Sequence, residues 1–215
     1  MNFLFTIFLL FAVLFSSAQK DLTFKEVAKT AKEIRIVDSF FYVDYSSLDK
    51  APLDTTTGSN LFQIIYRSKK QTSQETDFFI AGKITSHKIF DILLLCVERS
   101  IITKYSYDLA AMPIDRSITK ELFFVLLDKE GNYKNSFLAA MDYRKKDFEK
   151  NITREISSWV YNNFKIIQNT KTDYWPSYLI YLPFAKNGTK EFNFSMEYRI
   201  NDYGVFVAYP TYKSN

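Results

Sequence analysis

The sequence predicts a mainly β, α+β fold: an antiparallel meander, arranged as a sandwich or a partly closed barrel, with one N-terminal helix packed on the sheet. Three observations predict it. A single apolar stripe at helical spacing stands near the N-terminus. From Ser39 onward, short apolar runs alternate with turns rich in Asn, Asp and Gly. Phe192 to Ile200 alternates apolar and polar residues at every step, as an antiparallel strand with one wet face does.

Met1 to Ala18 carries no charged side chain. Phe3 to Phe15 is apolar except for Thr6, and Ser16-Ser17-Ala18 supplies the small residues a signal peptidase reads. The run is shorter than the roughly 20 residues a membrane-spanning helix needs. A secretory signal over residues 1–18 is therefore expected, with cleavage between Ala18 and Gln19. It leaves one mainly β domain over residues 19–215, without stable membrane insertion. No cysteine adjoins the cleavage point, which disfavours a lipid anchor.

Asp21 to Val37 is the expected helix. Phe24, Val27, Ala28, Ala31 and Ile34 form its stripe, and Thr23 with Glu26 makes a capping box. Phe40 to Tyr45 is a first strand, Leu48 to Asn60 a loop, Leu61 to Arg67 a strand and Ser68 to Asp77 a polar linker. Phe78 to Ile84 and Ile89 to Glu98 are strands joined by a turn around His87. The second holds Ile92 to Val97 without a polar residue, which suits a central strand covered on both faces. Ile101 to Thr119 reads as an irregular connection. Glu121 to Leu127 and Ser136 to Tyr143 pair through Asp128 to Asn132, where Gly131 takes the positive φ the turn requires. Ile156 to Tyr161 and Phe164 to Gln168 flank Asn162-Asn163, read as a two-residue hairpin loop. Tyr178 to Leu182 is a short strand, and Asn201 to Gly204 turns Phe192–Ile200 back into Val205 to Tyr209.

The run Phe79-Ile80-Ala81-Gly82-Lys83-Ile84, then Asp91 to Val97, then Leu122 to Gly131, behind a signal ending Phe15-Ser16-Ser17-Ala18-Gln19, resembles small exported proteins of unassigned function from Bacteroidota-type bacteria. The resemblance implies a cell-envelope setting, periplasmic or secreted, and no activity.

Composition excludes several chemistries. Lys and Arg number 28 against 24 Asp and Glu, a net charge of +4 spread along the chain, so no basic stripe for nucleic acid forms. One His and one Cys leave no zinc-ligand spacing and no intrachain disulfide. Cys96 reads as a buried small hydrophobe. Five glycines leave little room for phosphate-cradling loops, and no cofactor is implied. Two carboxylates suffice for a glycosidase, and Asp91 and Asp142, each interrupting an apolar strand, are the candidate catalytic acids. Aromatic residues make up 18% of the chain. Tyr174, Trp175 and Tyr178 form an expected aromatic loop, a candidate binding site for a protein, peptide or glycan, because rings bury area at low entropic cost. The expectation is a non-enzymatic binding or interaction module of the envelope. Its alternatives are an envelope hydrolase with paired carboxylates and an inhibitor or immunity-type protein.

Overall fold

The computed structural model describes residues 24–36, 40–66, 75–85, 87–103, 115–146, 150–176 and 190–210. Helix α1 covers residues 24–30. It is followed by β1 (Glu33–Ile34), β2 (Phe40–Val43), β3 (Ala51–Pro52) and helix α2 (Thr55–Tyr66). The long strands come next: β4 (Glu75–Ile84), β5 (Phe90–Thr103), β6 (Asp115–Asp128), β7 (Tyr133–Lys146), β8 (Lys150–Tyr161), β9 (Ile166–Pro176), β10 (Lys190–Ile200) and β11 (Phe206–Pro210). One sheet runs β1-β4-β5-β6-β7-β8-β9-β10-β11, with β3 also on β4 and β2 also on β8. It is a meander of antiparallel pairs except for the parallel pair of β1 and β4, and it is not closed into a barrel.

The centre is β5 and β6. Ile92 to Val97 is fully or almost fully buried, because both sheet faces are covered. Leu93, Leu95, Phe123 and Val125 meet Phe24, Leu61 and Phe62 from the two helices. Ile92, Leu94, Cys96, Leu122 and Phe124 face the other way and meet Val43, Val160 and Ile166. The second set of contacts exists because the sheet splits. β7 and β8 pair only from Met141↔Ile156 to Lys146↔Asn151. Beyond that point Ser158–Tyr161 of β8 pairs with β2 instead. β8 to β11, with β2, thereby become a second leaf that packs on the leaf made by β4 to β7.

The split would leave β7 carbonyls without strand partners. A bulge sits there: Leu122 opposes Ala140 and Phe123 opposes Leu138, with Ala139 extra. Ser158 Oγ donates to the Ala139 carbonyl (2.6 Å) and Gln168 Nε2 to the Leu138 carbonyl (2.7 Å). Both side chains are buried, so each polar group satisfies the other at the seam between leaves.

Three hairpins end in the same five-residue turn. The N–H of Asp128, Tyr161 and Asn201 reaches the carbonyl four residues on, and Gly131, Phe164 and Gly204 donate back across it. This is the three-residue loop with a left-handed closing residue. Gly131 and Gly204 have φ of 88° and 74°, and Phe164 has 58°. His87 belongs to the same end of the molecule. Its ring lies edge-on to Phe164 (4.5 Å between centroids) and stacked on Phe90 (5.4 Å).

Several expected boundaries move. The helix ends at residue 30, and Ile34 leaves the stripe to pack in the inter-leaf core. Pairing with β4, reinforced by the Lys83 N–H on the Lys32 carbonyl (2.8 Å), takes the chain away from the helix axis. Leu61–Arg67 is not a strand, and most of Leu48–Asn60 is not loop: α2 runs through both. Gly58, Leu61, Phe62, Ile65 and Tyr66 share one helical face, and the Asp54 carboxylate caps the start by accepting the Thr57 N–H (2.9 Å). Residues 101–103 and 115–119, expected in an irregular connection, are ends of β5 and β6. Tyr174 to Pro176 belongs to β9 and is not a loop. Residues 1–23 with Ala18 and Gln19, most of the Ser68–Asp77 linker, and Tyr178–Leu182 lie outside the described residues.

Candidate functional site

Strands β7 to β10 carry two different faces, because neighbours along a strand point to opposite sides. On one face the cross-strand rows are Met141–Ile156–Thr170–Phe194 and Tyr143–Arg154–Thr172–Phe192, followed by Lys145–Ile152–Tyr174. Phe192 is 59% exposed and Phe194 54%. They continue the alternation of Tyr198 and Ile200, which pack against the inter-leaf core, but they lie beyond the part of the leaf that the core covers. Lys145 and Arg154 are the charged residues among the described side chains of these three rows. Arg154 Nε donates to Thr172 Oγ1 (3.4 Å), which lays the guanidinium along the sheet beside Phe192. The result is an open platform of aromatic rings and cations.

The opposite face carries a charged rung across five strands: Glu98, Lys120, Asp142, Glu155 and Lys171. It borders a cleft of about 560 Å³ formed where β7 and β8 part and the segment after β2 crosses over. Arg144 donates to both Asp142 oxygens, at 3.1 Å each. Lys120 lies 3.7 Å from Glu98. Asp44 Oδ1 accepts the Ser46 and Ser47 N–H groups and the Ser46 hydroxyl, each at 2.7 Å, and so folds its own turn. Tyr45 is buried between two ammonium groups, with Lys50 Nζ 4.0 Å and Lys120 Nζ 5.8 Å from its ring centroid. Burial first, then Cys96 and the Glu98 carboxylate that accepts its hydrogen bond, hold the Tyr45 hydroxyl far above its ordinary range. Tyr42, tilted against Trp159 at 4.8 Å between ring centroids, forms an aromatic wall.

The candidate acids do not converge. Asp91 opposes Leu127 and pairs with Lys129 (2.6 Å). Asp142 opposes Lys120. Those positions are seven steps apart along β6, roughly 23 Å, and the two carboxylates project from opposite faces. Asp142 instead has Glu155 as its direct cross-strand neighbour. Of the aromatic candidates, Tyr174 stands on the platform, the Trp175 backbone pairs with Asn151, and Tyr178 lies outside the described residues. Burial pushes the Cys96 thiol up to about 12, which keeps it an inert core group. Burial and Lys129 lower the His87 pKa, although Asp91 opposes them; its Nδ1 accepts the Ile89 and Phe90 N–H groups and closes the turn. Glu121, buried under α2, accepts the Tyr66 hydroxyl and pairs with Arg99, sealing the helix to the sheet. Among the described residues no three of His, Cys, Asp and Glu are grouped to hold a metal.

Sequence reasoning missed Phe192 and Phe194 as surface groups, since alternation tells which face a residue shares and not how far a core extends. It also missed Lys50 and Glu155, which only the split between β7 and β8 places around one cleft. Compared with protein-family models, curated proteins and solved structures, the chain matches none.

Proposed function

We propose that this chain is an exported, non-enzymatic binding module of the cell envelope, and that its partner is an acidic glycan laid on the β7–β10 platform. The single observation that carries the reading is the pair of phenylalanines more than half exposed on one strand face, Phe192 in the row of Arg154 and one row from Tyr174. Exposed rings beside an arginine are the composition of binding hot spots. Flat rings suit sugar faces, and the cations Lys145 and Arg154 suit carboxylates. The apolar run Phe3–Phe15 and the small residues after it support export.

The test is retention on immobilised polygalacturonate against neutral dextran. Polygalacturonate should retain the protein, and salt should weaken that retention. Replacing Phe192 and Phe194 together by Ala should weaken binding about tenfold or more. The melting temperature should hardly change, because both rings are exposed. Arg154→Gln should weaken binding and flatten its salt dependence. Equal retention on dextran, or full binding by the double variant, would rule the proposal out.

A further inference from the structure

The cleft on the other face of the same hairpin has its own chemistry. Among the described residues its lining carries three acids, Asp44, Asp142 and Glu155, and three bases, Lys50, Lys120 and Arg144. Most of these charges are already engaged. Arg144 holds Asp142 with two hydrogen bonds, Lys120 neighbours Glu98, and Asp44 is occupied by the Ser46–Ser47 turn. Two remain. Glu155 is exposed and closes no ion pair among the described residues, although its charge acts on Arg144, which Asp142 already holds. Lys50 has none either: its ammonium donates to the Tyr45 carbonyl (2.8 Å) and rests on the Tyr45 ring. An ammonium has three donors, so two still point elsewhere. Glu155 belongs to β8 and Lys50 to the crossing segment, so one cation and one anion stand on different walls of one cleft.

Described lining residues of zero net charge do not suit a phosphate or a polyanion. A cleft with one charge of each sign outside any ion pair suits a molecule that carries both. We infer that the cleft binds a small zwitterion, an amino acid or a short peptide with free termini. Lys50 takes its carboxylate, Glu155 takes its ammonium, and Tyr42, 39% exposed, offers a ring for an apolar side chain. About 560 Å³ lies within the usual range for small-molecule sites.

The probe is unblocked alanyl-phenylalanine, titrated calorimetrically into the full chain beside its N-acetyl form, its C-terminal amide, and maltose as a neutral control. The free dipeptide should bind at millimolar concentration or better. Each single block should weaken binding about tenfold or more, the usual loss of a charge-assisted hydrogen bond. Glu155→Gln should weaken the free dipeptide by a similar factor and make N-acetylation silent. Lys50→Gln should do the same for amidation. Lys50 also holds the Tyr45 carbonyl, so a misfolded Lys50 variant would leave the Glu155 arm to decide, since Glu155 is a surface residue. Absence of dipeptide binding, a blocked form that binds as tightly as the free dipeptide, or binding of maltose in its place would each overturn the inference.

Discussion

Phe164 occupies the backbone position that glycine fills in the two sister hairpins. A left-handed backbone costs an ordinary residue roughly 1–3 kcal/mol. Here the ring offsets that cost, being 8% exposed and edge-on to His87. Two opposing consequences follow from one substitution. Removing the ring should destabilise the fold by about 3 kcal/mol or somewhat more. Removing the β-carbon as well should return about 1 kcal/mol of backbone strain. Phe164→Gly is therefore expected to be more stable than Phe164→Ala, the reverse of the usual order. Urea unfolding of both variants measures it, and an alanine variant of equal or higher stability would contradict the strain argument. The sequence marked this turn correctly through Asn162-Asn163 but assigned it two residues. The left-handed residue is the phenylalanine, because His87 and Phe90 arrive from a distant hairpin and need a ring there. No local pattern carries that information.

At the scale of elements, legibility followed burial. The β5 run Ile92 to Val97 reads as a strand covered on both faces, and it is one, since a continuous apolar run has few other places to go. β10 was equally clear from its alternation. Helix α2 was hidden because Thr55-Thr56-Thr57-Gly58 reads as turn chemistry, and its apolar face is carried by only four large residues after Gly58. What makes it a helix is tertiary. Gly58 packs directly against the Phe78 side chain, so closely that a β-carbon would overlap the ring. Alanine at a helix interior normally gains about 1 kcal/mol over glycine. At Gly58 it should instead cost roughly 1–3 kcal/mol, because the helix must move off β4 or Phe78 must leave its rotamer. Thermal unfolding of Gly58→Ala against a control such as Ser59→Ala, on the same helix, distinguishes the two effects. The platform was half legible for a related reason. Tyr174 was chosen as a loop aromatic and proves to be a strand aromatic. Its neighbours Phe192 and Phe194 read only as the apolar face of an alternating strand, since a strand pattern cannot tell where the opposing leaf stops.

For the whole molecule, the decisive event is the parting of β7 from β8. One continuous sheet becomes two leaves, and that single divergence creates the inter-leaf core, the cleft at the split and the uncovered platform beyond it. The sequence left sandwich and partial barrel open; the outcome is an open sheet whose leaves stack without closure. Neither leaf can bury its inner face alone, because Leu94, Leu122 and Phe124 of one leaf need Val160 and Ile166 of the other. Unfolding should then be cooperative across both leaves. The seam hydrogen bonds give a way to test this. Ser158→Ala leaves the buried Ala139 carbonyl without its donor, and Gln168→Met does the same to Leu138, each costing about 1–3 kcal/mol. Each loss falls on the contact between leaves and not within either one. If the leaves are one cooperative unit, both variants should lower the midpoint of a single transition, with far-UV and near-UV circular dichroism moving together. If each leaf were stable by itself, the same substitutions would separate the two signals. The aromatic near-UV band would then be lost first, while the backbone signal persisted to higher denaturant.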